Sequence, residues 1–406
     1  MRTINKRKVT EVTKRLFTIM MIVILAVSGT AITGCGNTNT TSNETSDANQ
    51  YDGKLEFDHT MELKYAKLFK VDYYKGGYKM LTVTNRDEDT SVVDKETKIL
   101  LVPDGMSTPA DIDSNVMVLK APVTNMLVSS TPVTSLMNAS GCLSNISLVN
   151  YDRDEWYIDE VKQAFDDNKL TYVGKYQDPD YELIVAGAPN LAIYSTMLSS
   201  VPEVAAKLKE LGINYILDQS TYETEPLGRV EWAKFYGALC DKEDGANKVF
   251  NEQEEYITKL SNVENNGKKV AVFYITSKGK LYVRNGGDYL AKMVNMAGGN
   301  YIFSSLNPEK TGTQTMEMET FYETAKDADY IIYIWSLGGK PSTLDDFIGY
   351  NSTFSDLKAV KEGNVWCTTP DFFQIADTIG SMVNDINLML NADDNTTQLT
   401  YLKKLQ

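Results

Sequence analysis

The chain of 406 residues holds a single histidine, His59, and only four cysteines, Cys35, Cys142, Cys240 and Cys367, with no Cys-x-x-Cys among them. Sites for bare zinc or manganese ordinarily draw on several histidines, so a naked transition metal is a poor candidate for cargo. The three cysteines after residue 35 are odd in number and widely spaced. That excludes a disulfide framework or a zinc site read from spacing, and leaves them as small buried hydrophobes. Gly-x-Ser-x-Gly is absent, and a Ser-His-Asp mechanism would have to use His59, which lies in a hairpin region before the β/α pattern begins. Basic groups are also short, with 40 Lys and Arg against 55 Asp and Glu, a formal charge of −15. Residues 1–34 carry six basic groups and one acid, so the remainder stands at −20, which argues against nucleic acid as a partner.

What is present begins at the amino end. Arg2, Lys6, Arg7, Lys8, Lys14 and Arg15 precede an apolar stretch from Phe17 to Val27, the layout of a secretory signal and too short to span a bilayer comfortably. Ile32-Thr33-Gly34-Cys35 resembles the lipobox of bacterial lipoproteins. That resemblance implies cleavage before Cys35 and a diacylglycerol thioether on it, with enough acyl chains for stable anchoring at the outer face of the cell membrane. Residues 36–50 are Asn, Thr, Ser and Asp with almost nothing apolar, and read as a tether that cannot bury enough surface to fold.

The rest is too long for one core and alternates strand-like and helix-like segments, the pattern of two α/β lobes with largely parallel sheets. Apolar runs predict strands at 116–120, 146–150, 183–186, 191–194, 213–217, 270–275, 280–283, 330–335 and 364–367. Ile158, Val161 and Phe165 form one helical stripe, and Val204, Leu208 and Leu211 another. The longest helical pattern, 243–260, is followed by Asn265-Asn266-Gly267 and a restart of the β/α pattern, which makes it the connector between lobes. Residues 55–102 read as a β-hairpin leading the first lobe, with Gly76-Gly77 as its turn. The expected division is signal 1–34, lipidated cysteine and tether 35–54, first lobe 55–242, connecting helix 243–264 and second lobe 265–406.

At 222–237 the chain reads Tyr-Glu-Thr-Glu-Pro-Leu-Gly-Arg-Val-Glu-Trp-Ala-Lys-Phe-Tyr-Gly, and this segment resembles the substrate-binding proteins of iron-siderophore and cobalamin ABC importers. Ala325-Lys326-Asp327-Ala328-Asp329 before Tyr330, and residues 357–365 before Trp366, match the same family. The resemblance implies a class III binding protein: two α/β lobes on one rigid helix, small closure, and ligand in the cleft between them. It also implies a non-enzymatic monomer without a cofactor, working with an ABC permease and its ATPase.

Of the four arginines beyond residue 34, Arg86, Arg153, Arg229 and Arg284, the last three follow predicted strands. Loops at strand carboxyl ends face such clefts, and paired N–H donors there suit an anionic chelate. Arg284 is the leading candidate, then Arg153. Arg229 is also suited to locking the Pro226-Leu227-Gly228 helix start. Trp335 and Trp366 are read as ending strands and walling the cleft. Tyr194 and Tyr222 are further candidates, with Trp156, Phe372 and Phe373 in comparable loops. By the resemblance, Glu182 and Glu319, at like places in the two lobes, pair with arginines of the permease; acids also favour helix starts without any such role. Ferric siderophore leads as cargo because of the arginines, with cobalamin and haem as alternatives. A different class, the penicillin-recognising serine hydrolases, is mimicked by Ser277-Lys278-Gly279-Lys280, Ser305-Leu306-Asn307 and Lys310-Thr311-Gly312, but all three motifs fall within one β/α unit.

Overall fold

The computed structural model describes residues 54–260, 264–391 and 398–406, so Cys35, the signal segment and the tether lie outside the described residues. Tyr51–Gln406 form one compact unit. Three sheets organise it. The first is a sheet in the order β1 (Phe57–Thr60), β2 (Phe69–Tyr74), β3 (Lys79–Thr84), β4 (Glu96–Val102) and β5 (Met117–Lys120). The hairpin expected over 55–102 is its β2–β3 pair. Gly76 and Gly77 turn it with φ of +78° and +84°, a region that other residues enter only under strain. Strand β3 alternates buried and half-buried residues, and its inner face, with Phe69 of β2, packs on the helix Pro226–Cys240. The Phe69 ring lies 4.9 Å from Trp232 and 5.6 Å from Phe235.

The second sheet uses β6 (Met126–Ser129), β7 (Ile146–Val149), β8 (Thr171–Tyr172), β11 (Leu191–Ser195) and β12 (Tyr215–Asp218) in the order β12-β11-β6-β7-β8, every pair parallel. A two-residue ladder, β9 (Gly174–Lys175) and β10 (Asp178–Pro179), stands apart from it. The third sheet contains β13 (Lys269–Ile275), β14 (Leu281–Arg284), β15 (Asn300–Tyr301), β16 (Thr313–Met316), β17 (Tyr330–Tyr333), β18 (Val365–Thr368) and β19 (Leu402–Lys404). Strands β13, β17 and β18 run parallel, whereas β14 and β19 are antiparallel to their neighbours, so this sheet is mixed where the second sheet is wholly parallel.

One predicted strand is a helix. Residues 183–186 belong to Tyr181–Gly187, whose first turn is capped by the Asp180 carboxylate accepting from the Leu183 N–H (3.0 Å) and whose end is set by Ala188 at φ +44°. Only Ile184 of that apolar run is buried; Leu183 and Val185 stay 42% and 49% exposed, so apolar content had suggested a core strand where a surface helix stands.

Between the lobes runs the long helix Glu243–Leu260, burying Ala246, Val249, Phe250 and Leu260. It rests on Pro226–Cys240, every residue of which except Arg229 is buried. The two helices come so close at Gly237 that a Cβ there would sit 2.6 Å from the Ala246 Cβ. The Pro-Leu-Gly-Arg-x-Glu-Trp stretch opens this inner helix, and much of its work is structural. Glu231 accepts the N–H groups of Lys64 (3.0 Å), Tyr65 (2.8 Å) and Ala66 (2.9 Å) and pairs with Lys234 Nζ (2.9 Å). Glu223 takes the N–H groups of Lys67 and Leu68 and the Trp232 indole. The segment 64–68, leading into β2, is thereby bound to the helix by two carboxylates.

Candidate functional site

The lobes meet where the carboxyl ends of the first lobe's strands face the loops after β14 and β18 of the second. Arg229 and Arg284 converge there on Tyr289, the first residue of the helix Tyr289–Met296. The Arg229 guanidinium stacks 3.7 Å from the Tyr289 ring centre and donates through Nε to the Glu223 carbonyl (3.2 Å) and through Nη2 to the Thr221 carbonyl. Burial lowers its pKa, opposed by Tyr289, Asp288 and Asp218, while the like charge of Arg284 lowers it further. Arg284 is 6% exposed. Its Nη1 lies 3.7 Å from Asp288, its guanidinium 5.6 Å from the Phe373 ring centre, and its Nε and Nη2 are buried without a protein partner. Asp288 is itself committed to the Leu290 N–H (3.0 Å) and the Gly312 N–H (2.8 Å).

A buried guanidinium with donors unused, beside a second that is half-buried, forms a place where an anion gains strongly. A buried donor without an acceptor is costly, and a charge-assisted bond relieves that cost. Ser129, Asn150, Tyr194 and Gln219, at or just beyond the carboxyl ends of β6, β7, β11 and β12, also hold a buried polar atom with no protein partner, as do Ser336 and Trp366 in the second lobe.

The free space at this boundary is about 50 Å³, bounded by Pro132, Thr221, Arg229, Tyr289, Phe373 and Met382 among others. Ligand pockets run roughly 300–1,000 Å³, so the space between these residues is too small for a chelate as it stands. A larger cavity, about 910 Å³, lies against Asn125 and Ile146 at the amino ends of β6 and β7 and has no arginine in its wall. The chemistry of the boundary, rather than the size of that groove, marks the candidate site.

The predicted residues divide. Arg229 and Arg284 are brought together. Arg284 is the last residue of β14, which runs antiparallel to β13, so it does not stand at the carboxyl end of a parallel strand. Arg153 sits in the turn Arg153–Glu155 with its fork already on Asp166, at 2.6 and 2.8 Å, and on Asp154 at 3.2 Å. Tyr194 is 1% exposed and packs in the first lobe's own core, beside Leu198 and Leu217. Trp366 does not end a strand: it is the second residue of β18 and is buried. Trp335, two residues past β17, is half-buried under Lys340, whose Nζ lies 4.6 Å from the ring. Tyr222 is covered by Arg86 at 3.4 Å. Trp156 is in the core, bonded to the Tyr151 carbonyl. Glu182 and Glu319 are both exposed acids in the first turn of a helix that leads into a parallel strand, β11 and β17 respectively. Cys142, Cys240 and Cys367 are free and buried.

Sequence reasoning missed Tyr289, Asp288 and Gln374. The first two had a signal in Gly286-Gly287-Asp288, an N-cap acid after two glycines. A Cβ on Gly286 would sit 1.9 Å from the Ser304 carbonyl oxygen. Gln374 had none. It crosses the boundary, accepting the Tyr157 N–H (2.9 Å) and donating to the Glu155 carbonyl (2.7 Å).

Comparison with known proteins gives the family and the fold. Residues 149–372 match the family described as periplasmic binding protein. An uncharacterized lipoprotein of Methanocaldococcus jannaschii is 30% identical over 330 residues, 78% of each chain. Among solved structures, a periplasmic binding protein of Veillonella parvula superposes with a TM-score of 0.56 at 17% identity, over 76% of this chain and 97% of that one. A periplasmic heme binding protein of Vibrio cholerae gives 0.54 at 17%, over 66% and 98%. The leading sheet β1–β5 precedes the matched residues. The chain belongs to the periplasmic binding protein family, whose members bind a solute and do not transform it.

Proposed function

We propose that this protein is an extracytoplasmic lipoprotein, anchored through Cys35, that captures a ferric siderophore between its lobes and delivers it to an ABC permease and its ATPase. The observation that carries the cargo assignment is the buried Arg284, with two unpartnered donors beside Arg229, which suits a ligand bearing negative charge. A heme binding protein of Vibrio cholerae and an Fe3+-hydroxamate transport protein of Saccharomonospora viridis share the fold at 17% identity, which supports the architecture and leaves the cargo to this chain's own residues. Titration of residues 51–406 with a ferric catecholate, a ferric hydroxamate, haem and cobalamin, followed by tryptophan quenching, tests it. Saturable quenching by a ferric chelate is expected; saturation by cobalamin or haem alone would replace the siderophore with that ligand.

Docking is assigned to Glu182 and Glu319, one exposed acid per lobe at matching places, which would meet a permease of two like halves. Exposed charges contribute to recognition and encounter more than to affinity. The double variant Glu182→Lys, Glu319→Lys is expected to cut cellular uptake of the chelate by about tenfold or more, the scale on which steering charges act. Uptake at the wild-type rate would remove both residues from the docking surface.

A further inference from the structure

Resting on the reading of the lobe boundary as the ligand cleft, we infer that the loop 369–378 is a built-in competitor of the ligand, filling the cleft and latching the lobes shut until cargo displaces it. The loop leaves β18 at Thr368 and ends at the helix Ile379–Asn391. Phe372 and Phe373 line the small space at the boundary, and the Phe373 ring stands over Arg284, 5.6 Å from its guanidinium. A ring face offers a cation weak electrostatic attraction and no acceptor for its N–H groups, which matches the two unused donors of Arg284. An anionic ligand offers both, and wins the place.

The latch is separate from the plug. Gln374 bonds through both ends of its amide to backbone of the first lobe at Glu155 and Tyr157, and Asp377 pairs with the Ser135 hydroxyl of the helix Thr131–Ala139. These contacts join neutral or single-carboxylate groups across the boundary, so releasing them strands no buried ion pair. Lys292 and Glu225 (2.6 Å) and the helix Glu243–Leu260 keep the lobes joined when the loop lifts.

A wall residue and a plug respond oppositely to removal. In the full chain in detergent, with the iron(III) tris-catecholate complex as probe, Gln374→Ala and Phe373→Ala are each expected to tighten the apparent Kd by about three- to tenfold, because the competent open form is no longer a minority. Unchanged or weaker binding in both would overturn the proposal and make Phe373 part of the ligand's wall. A second readout needs no cargo. Hydrogen exchange of the Tyr157 amide, which donates to Gln374, should be slow in the unliganded wild type and speed up in Gln374→Ala. If that amide exchanges at the same rate in both, the latch does not exist, whatever the probe does. If the exchange result holds and no chelate binds, the latch stands and the ferric assignment falls.

Discussion

Arg284→Ala is expected to abolish measurable quenching by the ferric chelate, with a loss of at least about a hundredfold in affinity, and to do so without lowering the melting temperature. The two halves of that result have one cause. Truncating one partner of a buried, hydrogen-bonded charge pair costs about 2–5 kcal/mol of binding, and about 1.4 kcal/mol is tenfold. In the unliganded protein the same side chain is a liability: it is 6% exposed, its Nε and Nη2 have no acceptor, and Asp288 reaches it only at 3.7 Å. Removing it deletes two unsatisfied donors and leaves Asp288 with its bonds to Leu290 and Gly312. Arg284→Lys should also fail, since an ammonium cannot reproduce the fork. A merely structural arginine would show the reverse pattern, a lower melting point with binding kept, and that outcome in calorimetry and titration would withdraw the anion site.

How much of this was legible follows from what kind of signal each element leaves. Lobe strands β11, β13, β17 and β18 are short β-branched and aromatic runs bounded by turn residues, and the sequence locates each of them within a few residues. Glu243–Leu260 has one apolar face and a charged one, so its period is plain. Pro226–Cys240 is buried at every residue but Arg229, Glu231 and Lys234 included, and therefore carries no stripe to read. Residues 183–186 read as a strand because four apolar neighbours look the same in a core strand and on a surface helix, and the deciding Asp180 cap lies outside the run. Arg284 was found by an argument about strand ends that the antiparallel β14 does not satisfy; the arginine's scarcity in the chain was the better signal. Gln374 and Tyr157 lie 217 residues apart, and a neutral amide in a loop declares nothing about such a partner. Residue type shows which side chains could meet an anion, whereas which of them come together, as Arg229 and Arg284 do on Tyr289, is visible only in three dimensions.

The largest stability effect belongs to Glu231. Its carboxylate is fully buried and gathers the N–H groups of Lys64, Tyr65 and Ala66 together with Lys234 Nζ. Burial pushes its pKa up, but the Ala66 N–H, Lys234 and the Lys64 and Tyr65 N–H groups together hold it below the ordinary glutamate range. Glu231→Ala leaves three backbone donors and a lysine that is itself buried without their acceptor, and breaking a buried pair on one side costs about 3–5 kcal/mol. Since 1 kcal/mol moves the melting point of a large domain by about 2–4 °C, a drop of roughly 6–20 °C is expected. Glu231→Gln keeps an acceptor and the shape but loses the charge, and should fall between the two. The sign of the pH dependence follows from the lowered pKa: the contribution is present above the unfolded carboxyl's pKa and is lost as pH falls through the lower folded value. In denaturant titrations the gap between wild type and Glu231→Gln should therefore be full near neutrality and narrow in acid. The loss should also be local in its consequences. With segment 64–68 freed, β1 and β2 lose their hold on the inner helix, so amides of the leading sheet should exchange faster while those of β13, β17 and β18 keep their protection. Uniform loss of protection across all three sheets would mean that the inner helix, rather than the strap it holds, is what Glu231 secures.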